Sequence, residues 1–138
     1  MSIDVSFIIP TLNEEKYIGR CIRSIGRAKN TEIFVVDTHS KDATAKIARK
    51  LGAKVFFEKK KGPGAARNTG ARRARGRILI FADADVMFAL NFASILKKTF
   101  GSDIGGCIFK LYPYDATKTS EKISYDFVNF WVEVFNKM

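Results

Sequence analysis

The segment IFADADV, residues 80–86, closes an apolar run with two carboxylates, Asp83 and Asp85, separated by Ala84. Two like charges about 4 Å apart repel by roughly 4 kcal/mol at an effective dielectric of 20, so such a pair calls for a cation or a shared proton. Polar and acidic groups also follow two other apolar runs: Pro10-Thr11-Leu12-Asn13-Glu14 after Val5–Ile9, and Asp37 after Glu32–Val36. Singly, each has a plain structural use. Thr11 and Glu14 have the three-residue spacing of a helix capping box, Asp37 can begin a turn, and D-x-D is a common loop triplet. Brought to one edge by a fold, they become a site for a divalent ion with hard oxygen ligands, Mg²⁺ or Mn²⁺, which usually comes with a substrate diphosphate.

The elements that must do this are legible in the apolar pattern. Val5-Ser6-Phe7-Ile8-Ile9 reads as a strand stopped by Pro10, and Tyr17, Ile18, Cys21, Ile22 and Ile25 then recur at helical period up to Gly26. A second strand, Glu32–Val36, ends at Asp37; a helix marked by Ala43, Ile47, Ala48 and Leu51 closes at Gly52. Ala53–Glu58 is a third strand, Ala65–Arg75 a helix and Arg77–Ala82 a fourth strand. After the carboxylate pair come a helix carrying Phe92, Ile95, Leu96 and Phe100, the strand-like IGGCIFKLYPY, and a last helix from about Ser120 to the terminus. Strands alternating with helices, in continuous apolar runs, predict an α/β domain: a mostly parallel sheet with helices on both faces. Ligands of such sheets sit outside the carboxyl ends of the strands, where all three polar groups fall.

The 138 residues, 46% of them hydrophobic, suit one domain with a real core, and no linker, repeat or low-complexity segment divides them. The net charge of +10 favours anionic partners without choosing among them. Cys21 and Cys107 form no ligand spacing and read as buried free thiols. The N-terminus lacks the pattern of a secretory signal and no stretch has the roughly 18 to 20 apolar residues of a spanning helix, so the expectation is a cytoplasmic protein, one that can lie at the inner face of the membrane.

The segment KKKGPGAARNTGARRARG, residues 59–76, fits an anionic ligand: Gly62 and Gly64 allow close backbone approach, and a helix N-terminus follows. It contains neither a Walker nor a Rossmann pattern. Arg67 is placed to reach the rim, whereas Arg72, Arg73 and Arg75 read as a solvated helix face. No aromatics interleave with the basic residues for base stacking, so no nucleic-acid partner is expected. His39, the single histidine, reads as an exposed loop residue.

Together these residues resemble the family 2 glycosyltransferases, inverting enzymes of the GT-A fold that use nucleotide-sugar donors. The likeness runs from about Val5 to Val86, in the stretches VSFIIPTLNEEKYIGRCIRSI, EIFVVDTHSKDATAKIARKLGAKV and GPGAARNTGARRARGRILIFADAD. The resemblance implies that Pro10, Leu12 and Glu14, with Thr11 and Asn13 between them, line the nucleoside pocket and that Asp37 contacts the base. It further implies that Gly64, Arg67 and Asn68 sit beside the nucleotide, and that Asp83-Ala84-Asp85 is the D-x-D motif holding ribose and metal, the ion resting on Asp83 and Asp85. The implied donor is a nucleoside-diphosphate sugar, UDP- or GDP-linked, and the acceptor a saccharide or lipid-linked hydroxyl. Two departures stand out. Thr38 and His39 occupy D-T-H-S where the family commonly has D-D-G-S, and family members usually continue well past this length, the later part supplying the general base.

Residues 1–138 are therefore expected to be one nucleotide-sugar-binding domain, with about 1–86 its nucleotide-binding half and 87–138 a partial acceptor-side region ending in an amphipathic helix. In that helix Ile123, Phe127, Phe130, Trp131, Val134 and Met138 form a stripe, and Val128, Val132 and Phe135 widen it beyond one face. The excess suits a core, missing chain, a homodimer through this helix, or a membrane surface. The alternative to a transferase is a nucleotide-sugar-binding module without turnover. A nucleotidyltransferase ranks lower because PTLNEE lacks a glycine-rich basic loop, and a nucleic-acid binder lower still.

Overall fold

A computed structural model describes residues 3–99 and 134–136. In chain order the elements are β1 (Val5–Thr11), α1 (Ile18–Ile25), β2 (Thr31–Asp37), α2 (Thr44–Lys50), β3 (Lys54–Phe57), α3 (Pro63–Arg73), β4 (Ile78–Phe81), α4 (Phe92–Thr99) and β5 (Val134–Asn136). The sheet has the order β3-β2-β1-β4-β5. β1 pairs in parallel with β2 over its whole length, from Val5 opposite Thr31 to Thr11 opposite Asp37, and in parallel with β4 from Val5 opposite Ile78 to Ile8 opposite Phe81. β3 is parallel to β2, and β5 runs antiparallel along β4.

Strand alternation divides the core between the two faces. Val5, Phe7 and Ile9 of β1 join Val35, Ile78 and Ile80 beneath α1, α2 and α4, through Ile18, Cys21, Ile22, Ile25, Ala48, Ala93 and Leu96. Ile8 joins Phe34, Val36, Leu79 and Phe81 on the opposite face, under Ala66 and Ala74 of the α3 region. Helices thus cover both faces, as the continuous apolar runs predict.

Three expectations change. Pro10 does not stop β1, because Ile8 turns its carbonyl toward β4, accepting from Ala82, and Pro10 lies two residues past the last β1–β4 pair, where no ladder bond needs its missing N–H. Thr11 and Glu14 form no capping box. The Thr11 carbonyl accepts the Thr38 N–H at 2.9 Å, which keeps residue 11 extended, and α1 starts only at Ile18, its first turn resting on the Glu14 carbonyl that receives Tyr17 and Ile18 N–H. Finally, 134–136 is a strand rather than the end of a helix: β4 has an edge to pair, and this tertiary demand overrides the helical period. A homodimer through a terminal helix loses that part of its basis. The strand-like 104–114, Cys107, Phe100 and the rest of the expected last helix lie outside the described residues.

At the amino end of the sheet, buried Glu32 organises four partners. It accepts the Ser6 hydroxyl and the Arg75 N–H, each at 2.8 Å, and pairs with Lys54 and the Arg75 guanidinium, each at 3.2 Å. Burial pushes its carboxyl up, but the Arg75 N–H, the Ser6 hydroxyl, Lys54 and the Arg75 side chain together hold it below the ordinary glutamate value. Gly76 closes the same corner by donating to Ser6 Oγ at 2.9 Å; a Cβ there would stand 2.6 Å from Ser6 N.

Gly76→Ala should therefore cost about 1–3 kcal/mol by overpacking, since backbone cannot yield, while Gly64→Ala, with open space around it, should cost nothing measurable in the same urea titration. Glu32 stabilises the fold above the ordinary glutamate range, and this contribution disappears as pH falls through its depressed folded value. Glu32→Gln should accordingly lower stability at pH 7 by about 1–3 kcal/mol and flatten the acid limb of stability against pH.

Candidate functional site

Because β1, β2 and β4 point the same way, the segments after them share one rim. The register places Thr11 beside Asp37, and the Ala82 N–H on Ile8 carries residues 83–85 alongside the end of β1. The carboxylate loop is held from behind. Ala84 is buried between half-buried Asp83 and exposed Asp85, Phe88 N–H donates to Ser24 Oγ of α1 at 3.0 Å, and the Phe88 ring meets Phe7 edge-on at 5.0 Å.

The acids differ in how far the protein satisfies them. Asp37 is buried and both its oxygens are engaged, Oδ1 by the Ser40 N–H at 2.8 Å and Oδ2 by the Thr11 hydroxyl at 3.3 Å. Asp83 accepts from Arg67 Nη2 at 2.9 Å. Burial pushes the Asp83 carboxyl up, Arg67 pulls it down and Asp85 pushes it up again, leaving it above the ordinary aspartate value. Glu14 is half-buried, and its carboxylate has no hydrogen-bond or ion-pair partner among the described residues; burial, then Asp85, Asp83 and Asp42, raise its pKa. Glu14, Asp83 and Asp85 therefore lie in one negative field offset by Arg67. Cys21 sits beneath it, Sγ 3.9 Å from the Asp83 carbonyl, its thiol pushed up to about 12 chiefly by burial, which keeps it neutral and unreactive.

The donor chemistry at Asp83 and Asp85 fits a hard divalent cation. Among the described residues no three His, Cys, Asp or Glu side chains gather as a complete ligand cage. An ion held on this pair would take its other ligands from water or a diphosphate, the usual habit of Mg²⁺. On α3, Arg67 reaches Asp83 while its neighbour Asn68 lines, with Lys60, Lys61, Gly64 and Arg72, a hollow of about 430 Å³. Leu12 and Asn13 are exposed at the rim and Pro10 is half-buried.

One arrangement escaped the reading of the sequence. The N–H groups of Asn13, Glu14 and Glu15, three in succession, donate to Ser40 Oγ at 2.8 Å, Thr44 Oγ1 at 2.8 Å and Asp42 Oδ2 at 3.1 Å. In return, Lys41 N–H donates to Asn13 Oδ1 at 2.9 Å and Ala43 N–H to Glu15 Oε2 at 3.0 Å. The signal was S-K-D-A-T, short polar side chains at alternate positions before a helix, a pattern that reads locally as capping.

A carboxylate whose pKa is raised by folding opposes the folded state at neutral pH, and the penalty fades as pH falls through the raised value and is gone below the ordinary glutamate value. Glu14→Gln should therefore raise the thermal midpoint of the metal-free chain at pH 7, with the advantage shrinking toward pH 4 in the same scanning calorimetry series.

The sequence model described as Glycosyl transferase family 2 matches residues 6–137. Glycosyltransferase AglE of Haloferax volcanii is 31% identical over 127 residues, covering 82% of this chain and 42% of AglE. Among solved structures, Staphylococcus aureus TarS 1–349 in complex with UDP-GlcNAc superposes with a TM-score of 0.62 at 31% identity, over 70% of this chain and 32% of that one. Glucosyl-3-phosphoglycerate synthase from Mycobacterium tuberculosis, in complex with Mn²⁺, UDP and glucosyl-3-phosphoglycerate, superposes with a TM-score of 0.55 at 28% identity, over 59% of this chain and 33% of that one. The chain thus spans less than half the length of each. The parallel sheet with helices on both faces is the GT-A α/β architecture the resemblance implied. By sequence match and by fold, the chain belongs to glycosyl transferase family 2.

Proposed function

We propose that this chain forms the donor-binding part of an inverting glycosyltransferase, which moves a sugar from a nucleoside-diphosphate sugar to an acceptor hydroxyl with the help of Mg²⁺ or Mn²⁺. The observation that carries the reading is the convergence of the acid-bearing segments after β1, β2 and β4 on one carboxyl rim of the sheet. The UDP-GlcNAc in TarS and the Mn²⁺ and UDP in the mycobacterial synthase support a UDP-linked donor over a GDP-linked one.

In this reading Asp83 and Asp85 hold the ion, which when bound supplies Lewis-acid assistance to the departing diphosphate. The chain's own residues do the rest. Pro10, Thr11, Leu12, Asn13 and Glu14 border the nucleoside from the β1 side, and Asp37, which also braces that border through Thr11, contacts the base. Arg67, paired with Asp83, keeps positive charge beside the leaving group, where it stabilises charge developing there. Gly64 and Asn68 approach from α3, and buried Ala84 fixes the spacing of the two acids. Residues 1–86 make up the nucleotide-binding half, and a saccharide or lipid-linked acceptor approaches from the side of residues 87–138.

The second reading is a nucleotide-sugar binder that transfers nothing by itself. A phosphate cradle on the loop after β1, as a nucleotidyltransferase would need, is opposed by Asn13, Glu14 and Glu15 N–H groups already spent on protein acceptors.

Calorimetric titration with UDP, GDP and their sugar conjugates, with and without Mn²⁺, tests the proposal. The expected result is metal-dependent binding that Asp85→Asn weakens at least about tenfold, the scale on which removing a single charge-assisted interaction acts. Equal affinity in the presence of chelator removes the metal's role. Radiolabel transfer in a longer chain separates the enzyme from the binder.

A further inference from the structure

The geometry points to Thr44, with Ser40 and Asp42, as a positioning residue that sets the Glu14 carboxylate against the Asp83–Asp85 pair. The inference deepens the donor-site reading and rests on it. Thr44 is fully buried at the start of α2, and its hydroxyl receives the Glu14 N–H and donates to Asp42 Oδ1. Asp42 in turn receives the N–H groups of Glu15 and Thr44, and Ser40, which receives Asn13, is itself anchored by its N–H on Asp37 Oδ1. Each of the three amides around Glu14 is thus tied to a different side chain of the loop after β2 or the start of α2.

The tie acts on a segment outside both β1 and α1, whose other anchor is the Glu14 carbonyl that receives the Tyr17 and Ile18 N–H groups. Residues 12–16 follow the last bond of β1 to β2 and precede α1, and Leu12, Asn13 and Glu15 are exposed. Asn13 is held at φ 57°, a left-handed conformation that the clasp maintains through both its N–H and its side-chain oxygen. The Glu14 side chain is left with no partner of its own among the described residues. Its position comes from its backbone, which Thr44 holds on the N–H side and the start of α1 on the carbonyl side. The group placed by this clasp is therefore a free carboxylate beside the D-x-D pair, available to a ribose hydroxyl or another polar group of the donor.

Thr44→Val keeps the shape and removes the hydroxyl; Thr44→Ser keeps the hydroxyl; Ser40→Ala cuts a different tie at a partly exposed position. Glu32→Gln, at the opposite end of the sheet, controls for loss of stability alone. Amide hydrogen exchange in the ligand-free chain reads the clasp, and titration with UDP and Mn²⁺ reads its consequence. Thr44→Val should accelerate exchange at Glu14 roughly tenfold or more and weaken UDP–Mn²⁺ binding by a similar factor, as expected for a buried donor left unpaired. Ser40→Ala should do the same in smaller measure at Asn13, Thr44→Ser should restore both readouts, and Glu32→Gln should leave affinity unchanged. Wild-type affinity in Thr44→Val, or a Thr44→Ser variant as impaired as Thr44→Val, overturns the positioning role. Unchanged exchange at residues 13–15 overturns the clasp itself. Absence of UDP–Mn²⁺ binding in the wild type overturns instead the donor-site reading, and the exchange rates still decide the clasp.

Discussion

Parallel pairing of β1 on both sides is the constraint from which the rest of the molecule follows. A strand flanked by two parallel neighbours must send all three exits to the same edge, so Thr11, Asp37 and the loop after Phe81 finish within reach of one another. An antiparallel neighbour on either side would have carried one group to the far end. The apolar side chains of β1 secure the arrangement by filling both faces at once, Phe7 and Ile9 toward α1 and Ile8 toward α3.

The two ends of this sheet treat negative charge in opposite ways. Glu32 at the amino end is buried but surrounded by donors, and its carboxyl is held low; Glu14 and Asp83 at the carboxyl end are held high. The first is a charge ringed by several donors; at the second, Arg67 pairs with Asp83 while burial and neighbouring acids still dominate. The backbone reinforces the difference, because three rim amides that would attract an anion are occupied by Ser40, Thr44 and Asp42. What the rim presents is therefore carboxylate oxygen with a guanidinium beside it.

Much of this could be read from residue order, and the parts that could not have a common physical cause. Strands such as Glu32–Val36 and the D-x-D loop are strong local signals, since a buried parallel strand writes itself as an unbroken apolar run and its acids stand out at the end. The α/β architecture and the convergence of polar groups followed directly. The Thr11–Glu14 spacing misled because capping competes with ladder bonding, and the ladder partner, Thr38, lies 27 positions away. The clasp was invisible for the same reason: Ser40, Asp42 and Thr44 look like a helix start, and only the sheet's register reveals that they serve another loop. Val134–Asn136 carries apolar residues compatible with a helical stripe, and the open side of β4, an entirely nonlocal circumstance, made it a strand.

Within the described sheet, β5 covers the flank of β4 and leaves β3 outermost on the other side. That strand is only four residues long, Lys54–Phe57, begins with a lysine, and runs into a loop bearing Lys59, Lys60 and Lys61. An unpaired strand border is an invitation to stack with a second molecule, and clustered ammonium groups withdraw it by mutual repulsion. The lysines at this border thus have a use independent of any ligand: they discourage border-to-border polymerisation along β3.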